Sequence, residues 1–263
     1  MRNPELEAII TAAPDDLDGY EVYADWLIEQ GEPHGELILF EVRRRRSGVT
    51  PDFEVLAAEA RLLQDRARMF GAFGALPKGA GVSSELDLGF LRSVSVWEGE
   101  GASQALRLAL THRAGAFLRH LEVLTHERRS FGSSLRNIST DRATARVVWD
   151  VLLEVGLPKT LESVGVLLLN DAIEAQCQAL VHVPHCTFPL RCAGVLAPHV
   201  GALRALRSLT FTSSKRLTTV EIEAIVELAP RFAAIERIVL AVPPFSGLDL
   251  APLRAALPQL VLL

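Results

Sequence analysis

Apolar residues recur along the last two-thirds of the chain at positions 1, 4 and 6 of a short segment: Leu91/Val94/Val96, Leu118/Leu121/Val123, Leu161/Val164/Val166, Leu206/Leu209/Phe211, Ile235/Ile238/Leu240 and Leu257/Leu260/Leu262. Successive starts lie 27, 43, 45, 29 and 22 residues apart. Val183/Cys186/Phe188 divides the second long gap in register, and Leu135/Ile138 divides the first less evenly. The mean spacing is then about 24 residues, within the leucine-rich-repeat range. Between the segments lie stretches of helical periodicity, near 102–113, 141–155, 171–180, 193–203, 220–228 and 251–257. A unit of this kind cannot bury its apolar edge alone and needs a stacked neighbour. The pattern predicts an α/β solenoid with a mainly parallel sheet over residues 89–263.

The first 75 residues have a different period. Asn3-Pro4 opens a helix carrying Leu6, Ile9 and Ile10, and Pro14-Asp15-Asp16 closes it. A second helix over about 18–30 presents Tyr20, Tyr23, Ala24, Leu27 and Ile28, and Gly31 with Pro33 stops it and starts a third. That third helix, to about residue 45, buries Leu37, Ile38, Phe40 and Val42, and a fourth runs over about 51–70. The expected domains are a helical domain at 1–75, a glycine-rich linker at 76–88, and the repeat array.

Tyr23-Ala-Asp-Trp-Leu27 followed by Gly31-Glu-Pro-His-Gly-Glu-Leu-Ile38 resembles the short repeat-companion domain that opens many bacterial leucine-rich-repeat proteins. The likeness covers about residues 1–45 and departs at His34, where the family usually has Arg or a small residue. It implies company with leucine-rich repeats and no catalytic activity. The repeats themselves depart from the family pattern too. Motif position 9, where Asn or Cys is expected, holds Gly99, His126, Leu169, Ser214 and Pro243.

In each strand of the motif, positions 3, 5 and 7 face away from the core. This face carries Ser93, Ser95, Trp97, His120, Glu122, Leu124, Ser163, Gly165, Leu167, His185, Thr187, Pro189, Ser208, Thr210, Thr212, Arg237, Val239 and Ala241. Short side chains leave room for a partner, and an exposed Trp is a common anchor. The expected function is a non-catalytic scaffold that binds a protein or peptide on the concave sheet through Trp97, His120, Glu122, Leu124, Leu167, His185, Thr187, Thr210, Thr212 and Arg237. The plainer reading of Trp97 is a cover for the N-terminal edge of the array, against the helical domain. The alternative is an enzyme, or an obligate enzyme subunit, with a site near Trp97, His120 and Glu122. The apolar C-terminal strand suggests pairing with a second copy.

Composition narrows the classes. At 49% hydrophobic residues the chain supports a continuous core, and no apolar run reaches membrane-spanning length. The start, MRNPELEAII, does not read as a signal peptide, and three cysteines do not form a disulfide framework, so a cytoplasmic protein is expected. Residues 1–75 hold 8 basic against 15 acidic residues, and the other 188 hold 19 against 17, a balance that does not suit nucleic acid. Arg43–Arg46 form the one basic run, which suits the negative end of a helix. Cys177, His182, His185, Cys186 and Cys192 have metal-ligand chemistry, but C-x4-H-x2-H-C-x5-C matches no familiar zinc spacing, and Cys186 falls at an inward position. No cofactor is expected. No nucleophile elbow or phosphate-binding glycine fingerprint occurs, and Asp25 reads as structural.

Overall fold

The protein is described by a computed structural model that covers residues 2–48, 53–76, 82–97, 101–124, 140–165, 172–213, 216–243 and 249–263. The chain folds as two compact units, Met1–Arg119 and His120–Leu263. The change of unit comes later in the chain than the linker expected at 76–88.

The first unit begins with three short helices, each bounded by its caps. Helix α1 (Pro4–Ala12) has Pro in its first turn, and the Asn3 side chain accepts from the Leu6 N–H. Helix α2 (Leu17–Glu29) is capped by Asp16, and Gly31 at φ 73° turns the chain into α3 (His34–Ser47). Gly48 ends α3 in the left-handed conformation that glycine adopts without strain. The faces that meet are the apolar ones: Ile10, Tyr20, Tyr23, Ala24, Leu27, Ile38 and Val42 form one buried cluster. Ile28 and Phe40, expected inside, lie at its margin; Ile28 is exposed and Phe40 half-buried.

The single helix expected over 51–70 is two, α4 (Phe53–Gln64) and α5 (Arg66–Gly74). Asp65 divides them because its carboxylate accepts from the Arg68 N–H and so starts a new helix. The expected linker is partly strand: β1 (Val82–Asp87) pairs antiparallel with β2 (Phe90–Trp97) through a two-residue turn. Leu88 and Gly89 both have positive φ, the arrangement that matches the twist of a hairpin. The motif strand Leu91/Val94/Val96 therefore pairs backwards with β1. A register shift opposite Glu85 and Leu86 leaves Arg92 without a counterpart. That extra residue changes the alternation, so Leu91, Val94 and Val96 are all fully buried despite their uneven spacing. Helix α6 (Ala102–Thr111) and a 3-10 turn at Arg113–Gly115 complete the unit.

The second unit alternates strand and helix: β3 (His120–Leu124), α7 (Thr140–Val155), β4 (Ser163–Gly165), α8 (Ile173–Ala179), β5 (His185–Pro189), α9 (Ala193–Leu196), β6 (Ser208–Thr212), α10 (Thr219–Leu228), β7 (Arg237–Ala241), α11 (Ala251–Ala256) and β8 (Leu260–Leu262). Every neighbouring pair from β3 to β8 is parallel and follows chain order. Parallel neighbours need a crossover, and the helical stretches read from the sequence supply it. The stretch near 193–203 is a short α9 between two 3-10 turns.

Register turns the motif into rows. Position 4 lines up Leu121, Val164, Cys186, Leu209 and Ile238, and position 6 lines up Phe188, Phe211 and Leu240, all buried. The unit expected at Val183–Phe188 is therefore a strand in full register. The one expected at Leu135–Ile138 lies outside the described residues. Leu206, at position 1, is half-exposed where the equivalent Leu161, Val183 and Ile235 are buried. Helix α10 opens with a reciprocal capping box between Thr218 and Glu221. Thr218→Ala is expected to cost about 1 kcal/mol. Circular dichroism during urea unfolding would measure it, and an unchanged midpoint would show that the cap contributes nothing.

Candidate functional site

The open face of the second unit's sheet is built by the residues between the buried rows. One row runs His120, Ser163, His185, Ser208, Arg237 across five strands, and a second runs Glu122, Gly165, Thr187, Thr210, Val239. A third holds Pro189, Thr212 and Ala241. His185, Glu122 and Arg237 are exposed, while His120, Ser163, Thr187, Ser208, Thr210 and Thr212 are half-exposed. The expected binding residues on these strands thus share one face. Val239 departs from the expectation: it is buried, between Thr210 and Val261 on the flanking strands, whose branched side chains stand beside it.

Two contacts organise the β3–β4 end of this face. The His120 ring Nδ1 and the Ser163 hydroxyl share a hydrogen bond of 2.8 Å. Gly165 has no side chain, and a Cβ there would meet Glu122 Cγ at 3.1 Å, so the Glu122 side chain lies against it. A histidine bonded to a serine hydroxyl is the pairing that nucleophilic catalysis uses, but such catalysis also needs a group that orients the base. Among the described residues, His120 has this one side-chain hydrogen bond. The other expected site residues fall elsewhere. Leu124 ends β3, with its side chain outside the described set, and Leu167 lies outside the described residues. Trp97 ends β2 in the first unit, and its side chain is likewise not described.

The sulfur and imidazole groups near β5 do not converge. Cys177, Cys186 and Cys192 are buried free thiols. Burial pushes Cys186 up to about 12, with Cys177 adding to the shift, and pushes Cys177 to about 11, so both stay protonated and behave as core residues. His185 stands on the opposite face of β5 from Cys186, and His182 donates from Nε2 to the Pro158 carbonyl at 3.0 Å. No group of three metal-capable side chains occurs among the described residues.

Three residues of the basic run are paired with acid. Arg44 bonds Glu41 at 2.6 Å, Arg45 bonds Asp87, and Arg46 bonds both Asp18 and Glu21. Asp25 is exposed, and Trp26 packs its ring 5.6 Å from Tyr23 at the edge of the helical core.

A second cluster, in the first unit, was not legible from spacing. His34, at the start of α3, is fully buried, and its Nε2–H donates to the Gly89 carbonyl at 2.6 Å. Arg113, also buried, pairs with Glu32 at 2.5 Å, and its Nε has no partner. Burial holds His112 down at about 4, with Arg113 adding to the effect, and its Nδ1 accepts from the Ala114 N–H. His34 registered in the sequence only as a departure from the companion-domain wording. Nothing in the sequence connects it with Gly89 or with residues near 112, because the contact depends on where the hairpin docks.

No family model, curated protein or solved structure matches this chain.

Proposed function

We propose that the second unit is a leucine-rich-repeat-like solenoid and that the protein is a non-catalytic interaction module, taking a protein or peptide partner on the open, concave face of its sheet. One observation carries the reading: the five parallel strands β3–β7 hold one face in register opposite the packed core, with short hydroxyl side chains on the three central strands β4, β5 and β6. Hydroxyls at Ser163, Thr187, Ser208, Thr210 and Thr212 offer donors and acceptors on a rigid frame, at low side-chain entropy cost to an arriving partner. Glu122 on β3, His185 on β5 and Arg237 on β7 add longer groups. The resemblance of residues 1–45 to the repeat-companion domain supports the same reading, with the first unit as a companion to the array. A catalytic reading draws on the His120–Ser163 bond alone. That pair stands half-exposed on an open sheet, which suits recognition better than chemistry.

A photo-crosslinking amino acid placed at Thr210, and separately at Glu223 on α10, tests the reading in the native host. A discrete protein adduct is expected from Thr210 and not from Glu223. Adducts from Glu223 with none from Thr210 would move the interface off the sheet.

A further inference from the structure

We propose that the contact between His34 and Gly89 is a proton-operated latch: the neutral imidazole holds the β1–β2 turn on α3, and uptake of a second ring proton releases it. The turn is seated by shape as well as by this bond. Leu88 and Phe90, on either side of Gly89, are 2% exposed and belong to the helical core cluster. A Cβ at Gly89 would meet Ile38 Cγ1 at 2.7 Å and the Ile38 backbone at 3.3 Å, so the turn lies directly against α3. Within this apolar seat His34 supplies a buried polar contact, while the Arg45–Asp87 ion pair joins α3 to β1 at the surface. A carbonyl oxygen only accepts, so Nε2 carries the proton, and Nδ1 is left as a buried lone pair with no partner.

Protonating Nδ1 would place an N–H donor where no acceptor waits and a charge where the surroundings do not favour one. The ring is packed against Phe90 of β2 at 5.3 Å and Phe70 of α5 at 5.7 Å, with His112, at the end of α6, at 6.4 Å. The charged and titratable groups that act on it are Arg113 and His112 after α6, which oppose a positive ring, and Glu32 before α3, which favours one but is bound to Arg113. The hairpin contributes Asp87, held by Arg45 of α3 and by Arg92. Burial, reinforced by Arg113 and His112 against the opposing Gly89 bond, holds His34 down at about 4 from 6.5. A histidine depressed in the closed form gives stability that is fully present above about pH 6.5 and is lost as pH falls toward 4. Neutral pH therefore favours the shut latch, and mild acid raises the population of the open one.

Two measurements on the full chain decide this. In histidine-selective nitrogen NMR, His34 is expected as the Nε2–H tautomer, with a titration midpoint below pH 5; a midpoint near 6.5 would overturn the proposal. Hydrogen exchange of the β1 and β2 amides, corrected for intrinsic rates, is expected to show an opening population about 30-fold larger at pH 5 than at pH 7.5, the ratio that pKa values of 6.5 open and 4 closed require. In His34→Gln, whose amide can still donate to Gly89 but does not titrate, the rise is expected to fall below about 3-fold. A full rise in that variant would assign the effect to another group and sink the latch, and should the variant not fold, the wild-type titration alone decides.

Discussion

Phe211→Ala is expected to cost the second unit about 3–5 kcal/mol, the range for deleting a fully buried aromatic side chain. Phe211 is 1% exposed, stands in register with Phe188 and Leu240, and meets Phe232 edge-on with ring centres 5.7 Å apart. The cost should approach the upper value because β6 has a hydrogen-bonded strand on each side, so the backbone cannot move in to fill the space. Urea unfolding read by hydrogen exchange on the β5, β6 and β7 peptides gives the number. Thr210→Ala, one residue away on the open face, is expected to change stability by less than about 1 kcal/mol. Equal losses at the two positions would mean that the two faces have been assigned wrongly.

Gly35→Ala is expected to destabilise the first unit by about 2–3 kcal/mol. A Cβ at this position would lie 2.5 Å from the Ala24 carbonyl oxygen, 2.8 Å from Ile28 Cγ1 and 3.0 Å from the Ile28 nitrogen. Two of those three atoms are backbone, so α2 and α3 must separate to admit the methyl group. That separation disturbs the contact that buries Tyr23, Ala24, Leu27 and Ile38. Gly194→Ala is the control, because nothing lies within 4 Å of a Cβ there and α9 tolerates alanine. Hydrogen exchange across α2 and α3 is the readout, and a Gly35→Ala chain as protected as wild type would show that the helices are not so closely apposed.

The helical start was legible because its signals are local. Asn3-Pro4, Asp16, Gly31 and Pro33 act on backbone groups within one turn of themselves, and the helix boundaries follow them closely. The repeat was legible for a related reason: apolar residues at 1, 4 and 6 describe one strand edge, and stacking copies of that edge makes the rows that contain Cys186 and Phe188. The same logic carried the polar face, since alternate residues of a strand point opposite ways. It failed where a neighbour intervened. Val239 has the spacing of an open-face residue, yet flanking side chains bury it. The segment at 82–87 has linker composition, yet β2 was available to pair with it.

By itself the sequence determined periods, caps and which residues share a face, because those follow from backbone geometry over a few residues. Only the tertiary structure decided which way β2 is paired, and that buried His34 and Arg113 come together with half-buried Glu32 and His112. Those outcomes depend on contacts between segments far apart in the chain, such as the seat of Gly89 on Ile38 and the reach of Arg113 to Glu32. A histidine at a helix start is an ordinary polar residue until a hairpin covers it. Once covered, one ring nitrogen has a carbonyl and the other has nothing, and burial rather than sequence sets the charge it can carry.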